Sequence, residues 1–173
     1  MDRMTIFLLL FLPQALFAYD IRKIRLEYYA AVNDEKKADE FYSKLEKMRP
    51  LDPLLLAYFG SAEAVKAKHA LNPYSKLAYL KSGSKTLNLS VSKSPDNLEI
   101  RFLRFTLEHY VPKFLGYSKH LPEDKKKIID LIAKRQFGEV DSSLLKNIIS
   151  FMKESRRCTK AELEVLNKAL PNG

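Results

Sequence analysis

The amino-acid sequence predicts an all-α fold of antiparallel helical hairpins. Apolar residues recur at steps of three and four from Asp20 onward, which is the period of an amphipathic helix, and no stretch alternates for long enough to indicate a strand. Glycine is scarce, with 5 among 173 residues. Short loops place proline where a first helical residue is expected, because proline there loses no hydrogen bond. Together these observations indicate about eight helices joined by short loops.

Residues 1–18 predict a secretory signal peptide. Arg3 precedes an apolar run that ends at Leu12, and a small residue, Ala18, follows shortly afterwards. The run is far shorter than the ~20 apolar residues that span a bilayer. We therefore expect cleavage after Ala18 and export of the mature chain, residues 19–173, to the periplasm or the extracellular space, without a transmembrane span. An uncleaved N-terminal anchor is the alternative.

Charge limits the classes of partner. The chain carries 30 Lys plus Arg against 21 Asp plus Glu, a formal charge of +9. Lys and Glu alternate along stretches such as NDEKKADEFYSKLEKM, which favours a solvated surface over a single basic patch; an acidic partner is the alternative. We expect no nucleic-acid partner, because export separates the protein from most nucleic acid and the sequence has no nucleic-acid-binding motif.

The first helices have clear starts. A short helix precedes an amphipathic helix over residues 34–48, whose outer face is charged. Asp52 and Asn72 can each cap a helix that starts at the following proline, because their side-chain oxygens accept from free backbone N–H groups. We therefore expect an antiparallel pair of helices over residues 53–70 and 73–93.

The later helices are indicated in the same way. Asp96 or Asn97 caps a helix that opens at Leu98, and a further helix is expected to start at Pro122. The caps of the last two helices are Asp141 and a capping box of Thr159 with Glu162.

The pair 53–70 and 73–93 resembles a tetratricopeptide repeat. In that repeat a small residue near the middle of the first helix lets the second helix pack closely, and a proline-containing turn ends the unit. The small residues here are Gly60 and Ala62, and the turn is Pro95 with Asn97. Similar turns recur after about 42 residues, longer than the standard unit of about 34, and the chain has no tryptophan. The resemblance implies a short superhelix whose concave face binds peptides or helices.

A second resemblance covers residues 53–128. The stretches PLLLAYFGSAEAVKAKHALNPYSKLAYLKSG and PDNLEIRFLRFTLEHYVPKFLGYSKHLPEDKKKI are similar to a family of small exported proteins of Bacteroidetes. This resemblance implies export from a Gram-negative cell and implies no catalytic residue. Within one helical domain, we expect residues 19–135 to form the tetratricopeptide-like core and residues 136–173 a C-terminal helical hairpin.

The helix from Leu98 carries the candidate binding residues. A helix that is apolar on two faces is buried between neighbours. Its two apolar stripes are Leu98, Phe102 and Phe105, and Ile100, Leu103, Leu107 and Tyr110. Arg101 and Arg104 then either face the concave side of the stack and bind a ligand carboxylate, or form a structural ion-pair network at helix junctions. In the first interpretation, Lys66 and His69 complete a binding groove.

The sequence indicates no catalytic residue, no metal site and no cofactor. None of the three histidines has the spacing of a metal-binding pair such as HExxH, and the single cysteine has no histidine near it in the sequence. The alternative is an enzyme or a small-molecule binder that uses the region of Arg101, Glu108 and His109.

The sequence therefore predicts an exported, non-enzymatic helical-repeat protein that acts as a binding or scaffold module of the bacterial envelope. Its partner is expected to be a protein or a peptide. A purely structural envelope protein is the remaining alternative.

Overall fold

The computed structural model describes residues 19–169. This part of the chain contains eight α-helices, one 3₁₀ helix and no strand, which confirms the all-α prediction. The predicted signal peptide lies outside the described residues. None of the helices between residues 19 and 169 combines the length and the hydrophobicity that crossing a bilayer requires. The elements are α1 Ile21–Asn33, α2 Glu35–Lys47, α3 Pro53–His69, α4 Pro73–Lys93, α5 Leu98–Tyr110, the 3₁₀ helix Lys113–Leu115, α6 Leu121–Ala133, α7 Ser142–Glu154 and α8 Lys160–Ala169.

Most helix starts follow the predicted caps. The Asp52 carboxylate accepts from the Leu55 backbone N–H at 2.9 Å, and the Asn72 side chain caps α4 in the same manner. The capping box at α8 also forms, because Glu162 accepts from the Thr159 backbone N–H at 2.7 Å and the Thr159 hydroxyl accepts in return. These local contacts satisfy N–H groups that have no partner inside the helix.

Two starts are decided by more than the local pattern. Asn97 caps α5, while Asp96 turns away to accept from Lys127 of α6 at 2.8 Å. α6 begins at Leu121 and Pro122 is its second residue, one position later in the helix than predicted. Proline is tolerated there because the first-turn N–H groups are unpaired in any case.

Two hydrophobic clusters share α5. The first joins α1 to α4 with one stripe of α5, in which Ile100 and Leu103 are buried. The second joins α6 to α8 with the other stripe, in which Phe102 and Phe105 are buried. The predicted burial of α5 on two faces is therefore confirmed, except that Tyr110, at the end of the stripe that begins with Ile100, is exposed.

The helices after α5 share one hydrophobic cluster. α6 buries Ile128 and Ile132 in the same cluster as Ile148 of α7 and Leu166 of α8. α6 therefore shares its hydrophobic cluster with α7 and α8, and the subdivision of the domain at residue 135 stays a prediction.

The α3–α4 hairpin brings two backbones close together. A Cβ atom on Gly83 would lie 2.7 Å from the Gly60 carbonyl oxygen, and one on Gly60 would lie 3.0 Å from the Gly83 carbonyl oxygen. The small residue expected at Gly60 is thus at a close helix contact, and Ala62 is also buried. Stacking of such hairpins into a superhelix stays a prediction.

A buried ion pair links the two clusters. Arg25 of α1 donates to Glu99 of α5 through Nε at 2.9 Å and through Nη2 at 2.7 Å, and the Tyr58 hydroxyl donates to the same carboxylate. Arg25 Nη1 also donates to Asp141, the N-cap of α7, at 3.1 Å. These contacts fix α5 relative to α1 and α7, so the side chains along α5 have defined positions.

Candidate functional site

The two arginines predicted to bind a ligand lie inside the domain. Arg101 and Arg104 are each 5% exposed, and Asp124 of α6 is fully buried between them. Arg104 donates to both Asp124 oxygens at 2.7 Å, a bidentate arrangement, and Arg101 Nη1 donates to Asp124 at 2.8 Å. The ligand carboxylate expected from the sequence is thus replaced by a carboxylate of the chain itself.

Further donors of the two arginines also have partners within the domain. Arg101 donates through Nε to the Pro95 carbonyl at 2.7 Å and through Nη1 to Glu123, and Arg104 Nη1 donates to Asn88 at 3.1 Å. Burial alone would lower the pKa of Arg101, but its hydrogen bonds to carboxylates outweigh burial and raise that pKa. This geometry matches the structural ion-pair network that the sequence left open as an alternative.

Lys66 and His69 lie elsewhere and face different neighbours. Lys66 pairs with Asp39 of α2 and stands 5.5 Å from the centre of the Tyr79 ring. His69 Nε2 lies 3.2 Å from the Ala31 carbonyl oxygen, in the last turn of α1. The structure therefore does not bring the four predicted groove residues together: the two arginines contact α6, while Lys66 and His69 contact α1 and α2.

The region proposed for an enzymatic alternative is also divided. Glu108 is buried and accepts from the His120 backbone N–H at 2.7 Å, with His120 Nδ1 at 2.6 Å. His109 accepts from Arg157 Nε at 3.0 Å and stacks on Phe105. Burial and the charge of Arg157 lower the pKa of His109. Within the described residues, Glu108 and His109 thus contact separate neighbours, His120 and Arg157.

A half-open apolar groove lies elsewhere, between the N-terminal half of α4 and the C-terminal half of α5. Its volume is about 710 Å³. We call it the α3 groove and define it by Ser61, Ala64 and Ala67 of α3, Leu80 of α4, and Leu103 and Leu107 of α5. The ends of α1 and of the 3₁₀ helix close its sides.

Small side chains on α3 leave this groove open. Ser61, Ala64 and Ala67 recur at steps of three and so lie near one face of the helix. None of them is long enough to fill the space between α4 and α5. Leu80 and Leu103 on the flanking helices are buried and supply apolar walls. The groove therefore exists because the side chains on this face of α3 are small.

The groove contains a buried hydroxyl without a partner. Ser61 is 3% exposed, and its Oγ makes no hydrogen bond within the described part of the chain. Burial raises the pKa of Tyr28 to about 12, and Ser61 is near enough to oppose this shift, but the two oxygens do not reach hydrogen-bond geometry. An unpaired buried hydroxyl costs about 1–3 kcal/mol.

The charged side chains at the groove are basic. Lys68 and Lys76 are exposed at its rim, near the turn between α3 and α4, and Lys68 Nζ donates to the Val32 carbonyl at 2.6 Å. No acidic side chain lines the groove in the part of the chain that the structure describes. The rim is therefore electropositive against an apolar interior.

Large apolar side chains continue beyond the groove itself. Tyr110 lines the groove and is 75% exposed, and Phe114, beside the lining residue Leu115, is 86% exposed. Tyr74 and Leu77, on either side of Lys76 in the first turns of α4, are also exposed. Exposed large apolar side chains next to an apolar groove mark a candidate surface for another molecule.

The sequence analysis missed the groove, although two of its signals are visible in the sequence. One is the recurrence of Ser61, Ala64 and Ala67 on α3. The other is Tyr110, which extends an α5 stripe past the last neighbour that could bury it. Neither signal alone shows which helices stand apart, because that depends on how α4 and α5 pack against α3.

Within residues 19–169, no group of three or more His, Cys, Asp or Glu side chains is arranged to hold a metal ion. Comparison of the chain with protein-family models, with curated proteins and with solved structures gives no match.

Proposed function

We propose that this protein is a non-enzymatic binding module that holds a helical segment of another protein in the α3 groove. The observation that carries the proposal is an open apolar groove whose rim continues into exposed aromatic side chains. In keeping with the predicted signal peptide, we propose that the module is exported and acts in the bacterial envelope, as a short tetratricopeptide-like stack.

The shape of the groove favours a helix as its occupant. Small residues on α3 let the backbone of an incoming helix approach closely, because the distance between packed helices depends on the side chains at their contact. The walls on α4 and α5 are leucines, which suit the apolar stripe of an amphipathic helix. A helix seated there would contact α3, α4 and α5.

The exposed side chains around the groove favour a protein partner over a small ligand. A volume of about 710 Å³ is within the usual range for small-molecule pockets, so a small apolar ligand is the second candidate. Such a ligand would fill the interior but leave most of Tyr110, at the edge of the groove, in water. A protein would cover Tyr110 as well, and tyrosine is enriched at protein interfaces.

Site-specific photocrosslinking tests the proposal. A photoreactive phenylalanine analogue replaces Leu107 inside the groove, or Ser150 on the exposed face of α7 as the control position. We expect the Leu107 position, and not the Ser150 position, to form a discrete protein adduct in the periplasmic fraction. The substitution Thr106→Phe, which fills the groove, should abolish this adduct, whereas Ser150→Phe should not.

Three results would contradict the proposal. Equal adducts from both positions would show that the groove is not the contact surface. An adduct with the mass of a small molecule would favour the second candidate. Absence of any adduct from Leu107 in cells that express the protein would leave the structural envelope role as the better account.

A further inference from the structure

We infer that the helix held in the α3 groove is acidic, with Asp or Glu side chains along its apolar stripe at the end that lies over the α3–α4 turn. This inference rests on the proposed function, because it specifies the partner of the same groove. It concerns charge, whereas the proposed function concerns shape and apolar contact.

The charges around the groove carry the inference. Lys68, in the last turn of α3, and Lys76, in the first turn of α4, both line the groove, one on each side of the α3–α4 turn. Lys113 is exposed in the 3₁₀ helix, two residues before the lining residue Leu115. No lining residue in the described part of the chain is acidic. An occupant with basic edges would therefore meet repulsion, and one with acidic edges would meet attraction.

The environment of the lysines makes their charges available to a partner. Lys68 and Lys76 are exposed, so binding an acidic side chain does not require burying an unpaired charge first. Exposed pairs contribute about 0.2–1 kcal/mol each, and their main effect is on association rate and on the choice between partners. We therefore expect apolar contact to supply most of the affinity and the lysines to select for acidic helices.

A matched pair of model peptides tests the charge preference. Each is a synthetic amphipathic helix with the same Leu and Ala stripe and one Trp in that stripe, flanked either by Glu or by Lys. The protein has no tryptophan, so the peptide emission reports binding without interference. We expect the Glu peptide to bind about tenfold more tightly at low salt, and the difference to shrink at ~1 M salt, where the screening length is about 3 Å.

Charge-reversal variants locate the preference. Lys68→Glu combined with Lys76→Glu should invert the order of the two peptides. The control, Lys23→Glu combined with Lys146→Glu, changes the net charge by the same amount at two exposed lysines on α1 and α7 that do not line the groove. In this control variant the Glu peptide should still bind more tightly than the Lys peptide. Thr106→Phe should abolish binding of both peptides.

The outcomes separate this inference from the proposed function. If both peptides bind equally and Thr106→Phe abolishes both, the groove holds a helix but its partner is not acidic, and the inference falls alone. If neither peptide binds, both proposals fall. Binding of dodecanoate would then identify an acyl chain as the occupant, and self-association lost in Thr106→Phe would identify a second copy. If the control pair of substitutions also inverts the order of the two peptides, the preference depends only on net charge, and the inference is overturned.

Discussion

Arg101 and Arg104 on α5 differ from Lys68 and Lys76 at the α3 groove in what surrounds their charge. The arginines are buried and paired with Asp124, so their donors are used inside the domain. The lysines are exposed at the rim of an open apolar groove. Both pairs are basic and adjoin apolar surface. The comparison shows that a basic pair is a candidate binding site only when no carboxylate in the described part of the chain pairs with it.

The strongest test of this difference is Asp124→Asn. The substitution keeps the size of the side chain but leaves two buried guanidinium groups without their shared charge partner, so we expect a loss of about 3–5 kcal/mol in the free energy of unfolding. Urea denaturation measures the loss. Lys68→Glu combined with Lys76→Glu should change stability by less than about 1 kcal/mol, because these side chains are exposed.

Glu123→Gln is the control for Asp124→Asn. Glu123 contacts the same arginines, but its side chain is 57% exposed, so water can replace the lost contact. A loss as large as that of Asp124→Asn would show that exposure does not separate the two carboxylates. A stable Asp124→Asn variant would remove the structural account of the arginines and restore them as candidate ligand-binding residues.

A second test compares two buried serines. Ser90 is fully buried and its hydroxyl donates to the Pro53 carbonyl at 2.6 Å, whereas the Ser61 hydroxyl has no hydrogen-bond partner among residues 19–169. We expect Ser90→Ala to destabilise the protein by about 1 kcal/mol and Ser61→Ala to be neutral or slightly stabilising. Thermal and urea unfolding of both variants measure the difference. Equal losses would mean that the Ser61 hydroxyl is already satisfied.

The smallest expected effect concerns pH. The hydrogen bond from Arg101 holds the pKa of Glu123 below its usual value. A carboxyl group whose pKa is lowered by folding stabilises the protein above its unfolded pKa of about 4.3, and this contribution is lost as the pH falls through the folded pKa. Glu123→Gln should therefore reduce the drop in melting temperature below about pH 4.3. The effect should be under ~1 kcal/mol, because the carboxylate is mostly exposed.

An unchanged pH profile in Glu123→Gln would show that Glu123 adds no stability through the arginines. The same titration of Ser150→Phe provides the reference for a substitution away from ionisable groups.

Much of the fold could be predicted from local patterns. Asp52 and Asn72 sit directly before prolines, so their helix starts need only neighbouring atoms. The two stripes of α5 follow from spacing alone, and both are buried in the structure except at Tyr110. The choice between Asp96 and Asn97 as a cap was not local, because it depended on Lys127 of another helix.

The candidate site could be predicted only in part. The sequence showed that Arg101 and Arg104 must be paired if they are buried, but not that Asp124 of α6 would pair with both. It also did not show that residues as small as Ser61, Ala64 and Ala67 would face an unfilled space. These facts depend on which helices become neighbours.

By itself, the sequence determined that this protein is helical, where most of its helices begin and which helix lies between two layers of neighbours. These properties follow from hydrogen bonds and apolar periodicity within a few residues. Only the tertiary structure decided that Arg101 and Arg104 are paired with Asp124, that Lys68 and Lys76 are exposed, and that a groove exists between α4 and α5. The reason is physical: a charge is satisfied, or a volume filled, by groups that are distant in the chain, and those groups meet only when the helices pack.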